Sequence, residues 1–398
     1  MVGFDIDSKF PRSTAKLKKY FYEDLGLTPF KSGGKPTCNE KALIKLAAGS
    51  QSRKPQPAAK KILEIRRLQN TISKELAIEF VDGRFTTNYI PVSSMGRFKS
   101  TKDVFGKGQN AQNRRKFFNK YLMADPGYLI FTCDLSASDA RYVAYMGQEL
   151  SMMKAFNEGL DLHSHTADLM FQMDYDEVRR QEAEGIKAPL NEFSMTFRSW
   201  GKRCNHALNF GLGVNALAEQ LEIPVHIARQ LYKAYHTVYP RVKQGYQGDI
   251  INQIKTNRIL TNCFGRRWFF QGNMRDMTKP FAVPAQSNTA DIINRRGLIP
   301  MFYEERFSEA QLLRQVHDSL EFQIPIAIGV DRMFQMLKWL KESIEQPLHW
   351  KGQEFVIPLE IEAGLRLDPT REITIDRKGK ETLASLIKEA ETLQNEQR

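Results

Sequence analysis

Two aspartates that each lie at the end of an apolar run limit the folds open to this chain more than any other feature. The run YLIFTC (128–133) predicts a buried strand, and Asp134 follows it directly. In SLEFQIP (319–325) apolar residues alternate with polar ones, which predicts one strand of a hairpin with Asp318 at or near its turn. If the two strands are neighbours in one sheet, the carboxylates meet in an oxygen-rich site that suits magnesium.

A helix is predicted between the two aspartates, in FRSWGKRCNHALNFGLGV (197–214). Residues at every fourth position would share one helix face, cationic toward one end and apolar toward the other. Such a face can neutralise phosphates and also cover a base and a sugar. Its members are Arg198, Lys202, His206, Phe210 and Val214.

These three segments, in this order, resemble motifs A, B and C of family A DNA polymerases, the family of bacterial DNA polymerase I and many phage replicases. The resemblance extends from about Phe4 to about Leu365 and implies an α+β, right-hand polymerase fold with an antiparallel-sheet palm, helical fingers and a partial helical thumb. Shorter family-like stretches are MGRFKS (95–100), NAQN (110–113), LDLHSHTA (160–167), CFGRRW (263–268) and PAQSNTADII (284–293).

The resemblance also implies a division of the chain. Residues 1–75 would form the partial thumb and 76–165 the first part of the palm, with motif A. Residues 166–275 would form the fingers, with motif B, and 276–370 the second part of the palm, with motif C. The tail, 371–398, lies outside the family pattern and is predicted to be an amphipathic or partly disordered helix.

The resemblance assigns the metal and part of the triphosphate site. Asp134 and Asp318 would hold two Mg²⁺ ions, with the backbone carbonyl of Leu135 as a third ligand. Lys202 and His206 occupy the positions of a family arginine and lysine that grip the triphosphate and assist catalysis. Histidine at position 206 is a departure, because an imidazole is only partly charged near neutral pH.

Other residues of the predicted dNTP site follow from the same resemblance. Arg198 or Arg203 would supply the fixed charge that position 206 lacks, and His163 would be a second triphosphate contact. Phe210 occupies the aromatic position, where phenylalanine goes with rejection of dideoxynucleotides. Asp139 replaces the glutamate that excludes a ribose 2′-hydroxyl.

Two further departures affect the same site. The family tyrosine that supports the excluding carboxylate is Val214 here, and the glutamate that usually follows the motif C aspartate is Ser319. Glu321 could replace that glutamate only if the strand alternation were broken, which the pattern does not favour.

Primer–template DNA is the predicted partner, together with dNTPs. The chain has 58 Lys and Arg against 46 Asp and Glu, a net charge of +12, which favours a polyanionic partner. Contacts to the primer terminus or the minor-groove side of the new base pair are implied for Arg97, Gln112, Asn113, Arg141, Gln286 and His317. No separate acidic proofreading domain is recognisable, so an exonuclease-bearing subunit or a processivity factor acting in trans is a further expected partner.

The cellular setting is predicted from what the sequence lacks. Four cysteines lie far apart without metal-site spacing, which favours a reduced cytosolic environment. No apolar stretch approaches the roughly 18 residues that a membrane span needs. The expectation is a soluble, untargeted protein, cytoplasmic in a bacterial host if it is phage-encoded.

Two other functions remain open on the sequence alone. A single-subunit RNA polymerase shares the palm and often has serine after its motif C aspartate, as Ser319 is here. Such enzymes typically have glycine at the position of Asp139, however, and lack the stretches at 160–167 and 284–293. A catalytically impaired protein that only binds primer–template is the other alternative, since residues 206, 214 and 319 all depart from the pattern.

Overall fold

The computed structural model of the protein describes residues 9–49, 54–73, 80–91, 93–113, 116–188, 195–221, 223–272 and 279–396. Phe4, the expected start of the family resemblance, lies outside these residues. No helix in the described part of the chain is both long enough and apolar enough to cross a bilayer.

The described part of the chain contains both α-helices and short strands. The α-helices are α1 (Thr14–Lys18), α2 (Glu40–Ala48), α3 (Pro57–Thr71), α4 (Ser138–Gly147), α5 (Leu150–Asn157), α6 (Leu162–Phe171), α7 (Tyr175–Ala183), α8 (Phe197–Asn209), α9 (Val214–Leu221), α10 (Val225–Val238), α11 (Gly248–Asn257), α12 (Val283–Ile292), α13 (Ile299–Tyr303), α14 (Gly329–Ile344) and α15 (Arg377–Glu396). The strands are β1 (Lys31–Ser32), β2 (Lys35–Pro36), β3 (Asn88–Ile90), β4 (Lys99–Thr101), β5 (Tyr128–Leu135), β6 (Ile259–Thr261), β7 (Arg267–Phe269), β8 (Gln311–Val316), β9 (Ser319–Pro325), β10 (Leu348–Trp350), β11 (Gln353–Phe355), β12 (Leu359–Gly364) and β13 (Arg371–Glu372).

The chain divides into two compact units. The first comprises the described residues up to Phe80 together with Asn215–Val225. Its core contains buried Leu17, Phe21 and Leu43, and Glu219 of α9 pairs with Lys45 of α2 at 2.7 Å. The segment 215–225 therefore groups with the N-terminal helices, although it lies within the range predicted for the fingers.

The second unit is built on an antiparallel sheet of five strands in the order β13-β12-β5-β9-β8. The condition stated for a shared carboxylate site, that the strands of motifs A and C are neighbours in one sheet, is met, because β5 pairs with β9. The predicted end of the first strand is wrong. Strand β5 continues through Leu135, so Asp134 lies within it and has a hydrogen-bonded strand on each side.

The two faces of this sheet differ in chemistry. Apolar side chains alternate onto one face and are buried there, and Phe131 stacks on its cross-strand partner Phe322 with ring centroids 5.3 Å apart. The other face carries polar groups, including Asp134 and Glu321. Because each strand contributes alternate residues to each face, the apolar side anchors the sheet and leaves the polar side free for a site.

One ion pair on the polar face joins the last two strands of the sheet. Arg314 of β8 grips Glu321 of β9 with two bonds of 2.6 Å, and the two side chains are only 10% and 8% exposed. The same guanidinium donates to the carbonyl oxygen of Ala111 at 3.0 Å. Glu321 is therefore fully engaged and is not free to substitute for the carboxylate missing at Ser319. The reason is its pairing with Arg314 and not the strand alternation, because the alternation is unbroken and places Glu321 on the same face as Ser319 and Asp134.

The C-terminal tail forms α15, which packs on α14 and β5. Leu383, Leu386 and Ala390 are buried along one side of it, and charged residues occupy the exposed side. The amphipathic helix predicted for the tail is thus confirmed.

Candidate active site

The two motif aspartates lie side by side at one end of the polar face. Asp134 is the cross-strand partner of Ser319, and the backbone N–H of Leu135 donates to the carbonyl oxygen of Asp318 at 3.2 Å. Asp318 occupies the turn between β8 and β9, as predicted, next to His317 with a left-handed φ of 53°. The hairpin turn therefore presents one carboxylate beside another that the central strand holds.

Negative charge is crowded at this position. Burial, reinforced by Asp318 and Glu360, raises the pKa of Asp134 to about 7. A divalent cation would relieve this repulsion, so the donor set fits magnesium. Among the described residues no three His, Cys, Asp or Glu side chains gather in one metal-binding group. Two carboxylates would thus leave the other ligand positions to main-chain oxygen, water and phosphate, which is how Mg²⁺ is commonly held.

Polar groups without partners lie next to the carboxylates. Among the described residues, the Asp139 Oδ1, Arg97 Nε and His317 Nδ1 atoms are buried and have no hydrogen-bond partner. Burial raises the pKa of Asp139 to about 6, opposed by Arg97. Burial and Arg97 lower the pKa of His317, while Asp318 opposes that change. These side chains therefore lie within electrostatic reach of one another, and their free polar atoms are available to a ligand.

Helix α8 crosses α6 at very short range. A Cβ at Gly201 would lie 2.2 Å from the carbonyl oxygen of His163, so only glycine permits this crossing. The approach lets Asn205 donate to His163 Nδ1 at 3.1 Å and to Thr166 at 2.8 Å, while Tyr235 donates to the Asn205 carbonyl oxygen at 3.2 Å. Burial lowers the pKa of His163 to about 4. His163 is therefore neutral at pH 7, with its proton on Nε2.

The single helix face predicted for 198–214 is wrong beyond residue 209. Helix α8 ends at Asn209, and Phe210 caps it outside the helical conformation. Gly211 follows with a φ of +75°, and a Cβ there would lie 2.4 Å from the ring of Phe281. Val214 begins α9 instead, so it does not extend the face that carries Lys202 and His206. The four-residue spacing continues in the sequence to Phe210 and Val214, but Gly211 ends the helix before the spacing does.

The cationic part of the predicted face is present on α8. Lys202, Arg203 and His206 are exposed, and the His206 ring lies 5.9 Å from that of His163, measured between centroids. Partial desolvation by neighbouring groups and the charge of Lys202 lower the pKa of His206, whereas Asp318 opposes this shift. That interaction places the helix face within electrostatic reach of the carboxylates.

Arg198 is less available than predicted. It makes two hydrogen bonds of 2.9 Å to Asp161, which caps the N-terminus of α6. Burial opposes ionisation of Asp161, but the bonds from Arg198 and Ser164 lower its pKa to about 2. The charge of Arg198 is thus already compensated by a carboxylate.

Two of the predicted DNA contacts have structural partners of their own. Gln112 accepts from the N–H of Ser100 at 3.0 Å and donates to Gln315 Oε1 at 3.2 Å, which ties its loop to β8. Arg141 donates to the carbonyl oxygen of Ser136 at 3.0 Å, and its guanidinium lies 4.2 Å from the centre of the Phe156 ring. Asn113 is exposed and Gln286 is half-buried on α12.

Two charged residues near Asp134 were not predicted. Glu360 of β12 is its cross-strand partner on the side opposite β9, and Lys116 counteracts the rise in its pKa. The alternation in LEIEAG (359–364) does signal a strand with one polar face. It does not say which strand lies beside it.

Comparison with known proteins agrees with this geometry. The family model described as DNA polymerase family A matches residues 6–366. The thermostable DNA polymerase I of Thermus thermophilus is 25% identical over 374 residues, 89% of this chain and 41% of that protein. DNA polymerase I of Bacillus caldotenax is 28% identical over 269 residues, 64% of this chain and 28% of that protein. The chain thus spans less than half the length of these relatives.

The fold has a counterpart among solved structures. The POL domain of Pol1 from M. smegmatis, in a complex with DNA primer-template and dNTP, superposes with a TM-score of 0.72 at 22% identity, covering 92% of this chain and 62% of that one. This likeness supports the mixed α+β architecture. The match of the family model over most of the sequence, motifs A to C included, shows that the chain belongs to DNA polymerase family A.

Proposed function

We propose that the protein is a template-directed DNA polymerase that adds dNTPs to a primer 3′ end by two-metal-ion nucleotidyl transfer, in phage DNA replication within a bacterial host. One observation carries the proposal. Asp134 and Asp318 lie on adjacent elements at one end of a polar sheet face, within electrostatic reach of the exposed cationic side of α8.

The metal site would be held by few protein groups. Asp134 and Asp318 are the carboxylate ligands we assign, with the backbone carbonyl of Leu135 as a third. When bound, two magnesium ions would lower the pKa of the primer hydroxyl and neutralise the leaving pyrophosphate. The residues around the two ions must position the dNTP and neutralise the negative charge of its triphosphate.

The triphosphate would lie along α8. Lys202 and Arg203 are exposed there and supply fixed positive charge close to His206. Because Arg198 is paired with Asp161, we assign it to holding α6 against α8 and not to the phosphates. His163 would offer a neutral Nε2–H donor, and Phe210 would face the sugar and base.

The nascent base pair and the primer would meet the groups around the hairpin turn. Arg97, Asp139 and His317 have buried polar atoms free for such contacts. Minor-groove acceptors recur at similar places in every base pair, so donors there sense pair shape without reading sequence. We assign Gln112 and Arg141 to positioning, since both bond within the protein, and retain Asn113 and Gln286 as candidate DNA contacts.

The subdomain assignment rests on the family resemblance. Residues 1–75 are proposed as the partial thumb, 76–165 and 276–370 as the palm, and 166–275 as the fingers. An exonuclease-bearing subunit or a processivity factor is a further proposed partner.

A primer-extension assay with magnesium tests the proposal. Asp134→Ala should reduce the extension rate by about 10³-fold or more, because metal-assisted charge stabilisation contributes several kcal/mol. Binding of primer–template, measured by fluorescence anisotropy, should change little. Asp331→Ala, on α14, is the matched control and should extend at the wild-type rate. No extension by the wild type, or normal extension by Asp134→Ala, would refute the proposal.

One feature favours a second candidate. Ser319 follows Asp318, as a serine often does in single-subunit RNA polymerases, and its hydroxyl donates to the carbonyl oxygen of Val316 at 3.0 Å. Comparing dNTP and rNTP incorporation on one primer–template separates the two functions. A preference for rNTPs would support the RNA polymerase.

A further inference from the structure

The polar face of the sheet carries a carboxylate whose role the family motifs do not account for. Glu360 of β12 pairs directly with Asp134 of β5, and Ser319 of β9 pairs with Asp134 from the other side. Direct cross-strand partners have Cβ atoms about 4.5–5.5 Å apart on the same face. Glu360 and Ser319 therefore flank Asp134 at similar range, one bearing a carboxylate and the other only a hydroxyl.

The other glutamates of this face are already engaged. Glu321 is gripped by Arg314, and Glu362 accepts a hydrogen bond of 2.5 Å from Thr370. Within the described part of the chain, Glu360 has neither a hydrogen bond nor an ion pair, and it is exposed. Its charge acts on Asp134 more strongly than the charge of Glu362 does.

Glu360 also acts on one cation, Arg141. Burial lowers the pKa of Arg141, and Tyr145 and Glu360 oppose that change. Arg141 is held elsewhere, however, by the carbonyl oxygen of Ser136 and by the ring of Phe156. Like charges on directly opposed strand positions destabilise a sheet. A carboxylate opposite Asp134 is therefore a cost to the folded protein that a bound cation would offset.

We propose that Glu360 supplies, through a bound water, the outer carboxylate of the metal site that Ser319 cannot provide. A direct metal bond is not invoked, because no three carboxylates among the described residues gather in one metal-binding group. Groups in the outer shell of a metal raise its affinity by orienting ligands and water and by adding charge. The inference rests on the proposed function, since it concerns the same metal site.

The test is Mn²⁺ binding by the protein without DNA, followed through the electron paramagnetic resonance signal of the free ion. Glu360→Gln keeps the shape of the side chain and removes its charge. It should weaken Mn²⁺ binding by about 3- to 10-fold. This loss is at or below the smallest losses of metal affinity that are usual for outer-shell groups, because Glu360 is exposed to solvent. Glu362→Gln, on the same strand and face but one pair farther from Asp134, is the matched control. It should bind Mn²⁺ within about twofold of wild type.

A second variant tests whether Glu360 replaces the missing motif C carboxylate. Ser319→Glu, introduced into Glu360→Gln, should restore Mn²⁺ affinity and lower the Mg²⁺ concentration for half-maximal primer extension back toward the wild-type value. Unchanged Mn²⁺ affinity in Glu360→Gln, an equal loss in Glu362→Gln, or no rescue by Ser319→Glu would each overturn the inference. Absence of primer extension by the wild type would overturn the proposed function instead, so the two failures are distinguishable.

Discussion

Replacing Glu321 with methionine should destabilise the second unit by about 3–5 kcal/mol. Arg314 and Glu321 are nearly inaccessible to solvent and share two bonds of 2.6 Å, so removing the carboxylate leaves a guanidinium buried without its counterion. The bond from Arg314 to the carbonyl oxygen of Ala111 would remain but cannot compensate the charge. The loss should therefore greatly exceed the approximately 1 kcal/mol expected for an exposed pair.

Replacing both partners should be far less harmful. In Arg314→Met combined with Glu321→Met, neither charge is buried, and the remaining loss is mainly the bond to Ala111, about 1 kcal/mol. The double variant should thus lose less stability than either single variant, so the two substitutions are strongly non-additive.

Urea denaturation followed by tryptophan fluorescence measures these free energies. All four tryptophans lie in the second unit, so the signal reports the unfolding of the sheet and its helices. Additive losses in the double variant, or a single-variant loss below about 1 kcal/mol, would refute the argument. Either result would mean that removing one partner does not leave a costly unpaired charge in a buried place.

Three further outcomes are expected. Phe210→Tyr should increase termination by dideoxynucleotides, and equal termination by both forms would contradict the placement of Phe210 in the dNTP site. Asp139→Ala should lower the preference for dATP over ATP opposite template T, measured as the ratio of kcat/KM, by about 5- to 100-fold; an unchanged ratio means that Asp139 does not exclude the 2′-hydroxyl. Gly201→Ala should destabilise the second unit by about 1–3 kcal/mol because its Cβ would meet the carbonyl oxygen of His163, whereas Gly213→Ala, which meets nothing within 4 Å, should cost clearly less.

The parts of the site that depend on local pattern could be predicted. The apolar run before Asp134 and the alternation after Asp318 each mark a strand, and antiparallel pairing of the two brings the carboxylates together. The helix carrying Lys202 and His206 follows from spacing in the same way. The end of that helix could not be predicted from the spacing. Gly211 adopts a left-handed conformation against Phe281, and the four-residue spacing gives no sign of that contact.

The parts that depend on pairing between distant segments could not be predicted. Asp161 neutralises Arg198 across 37 residues of sequence, and Glu360 meets Asp134 only because β12 adds to the sheet beside β5. Alternation shows that a strand has a polar face without identifying its neighbour. The sequence therefore identified the central carboxylates but not the charges that surround them.

The close crossing of α6 and α8 at Gly201 has a consequence for motion. Backbones in such contact cannot slide past one another without a clash, so the two helices must move as one rigid body. Any swing of Lys202 toward a nucleotide would carry His163 with it and preserve the spacing between them.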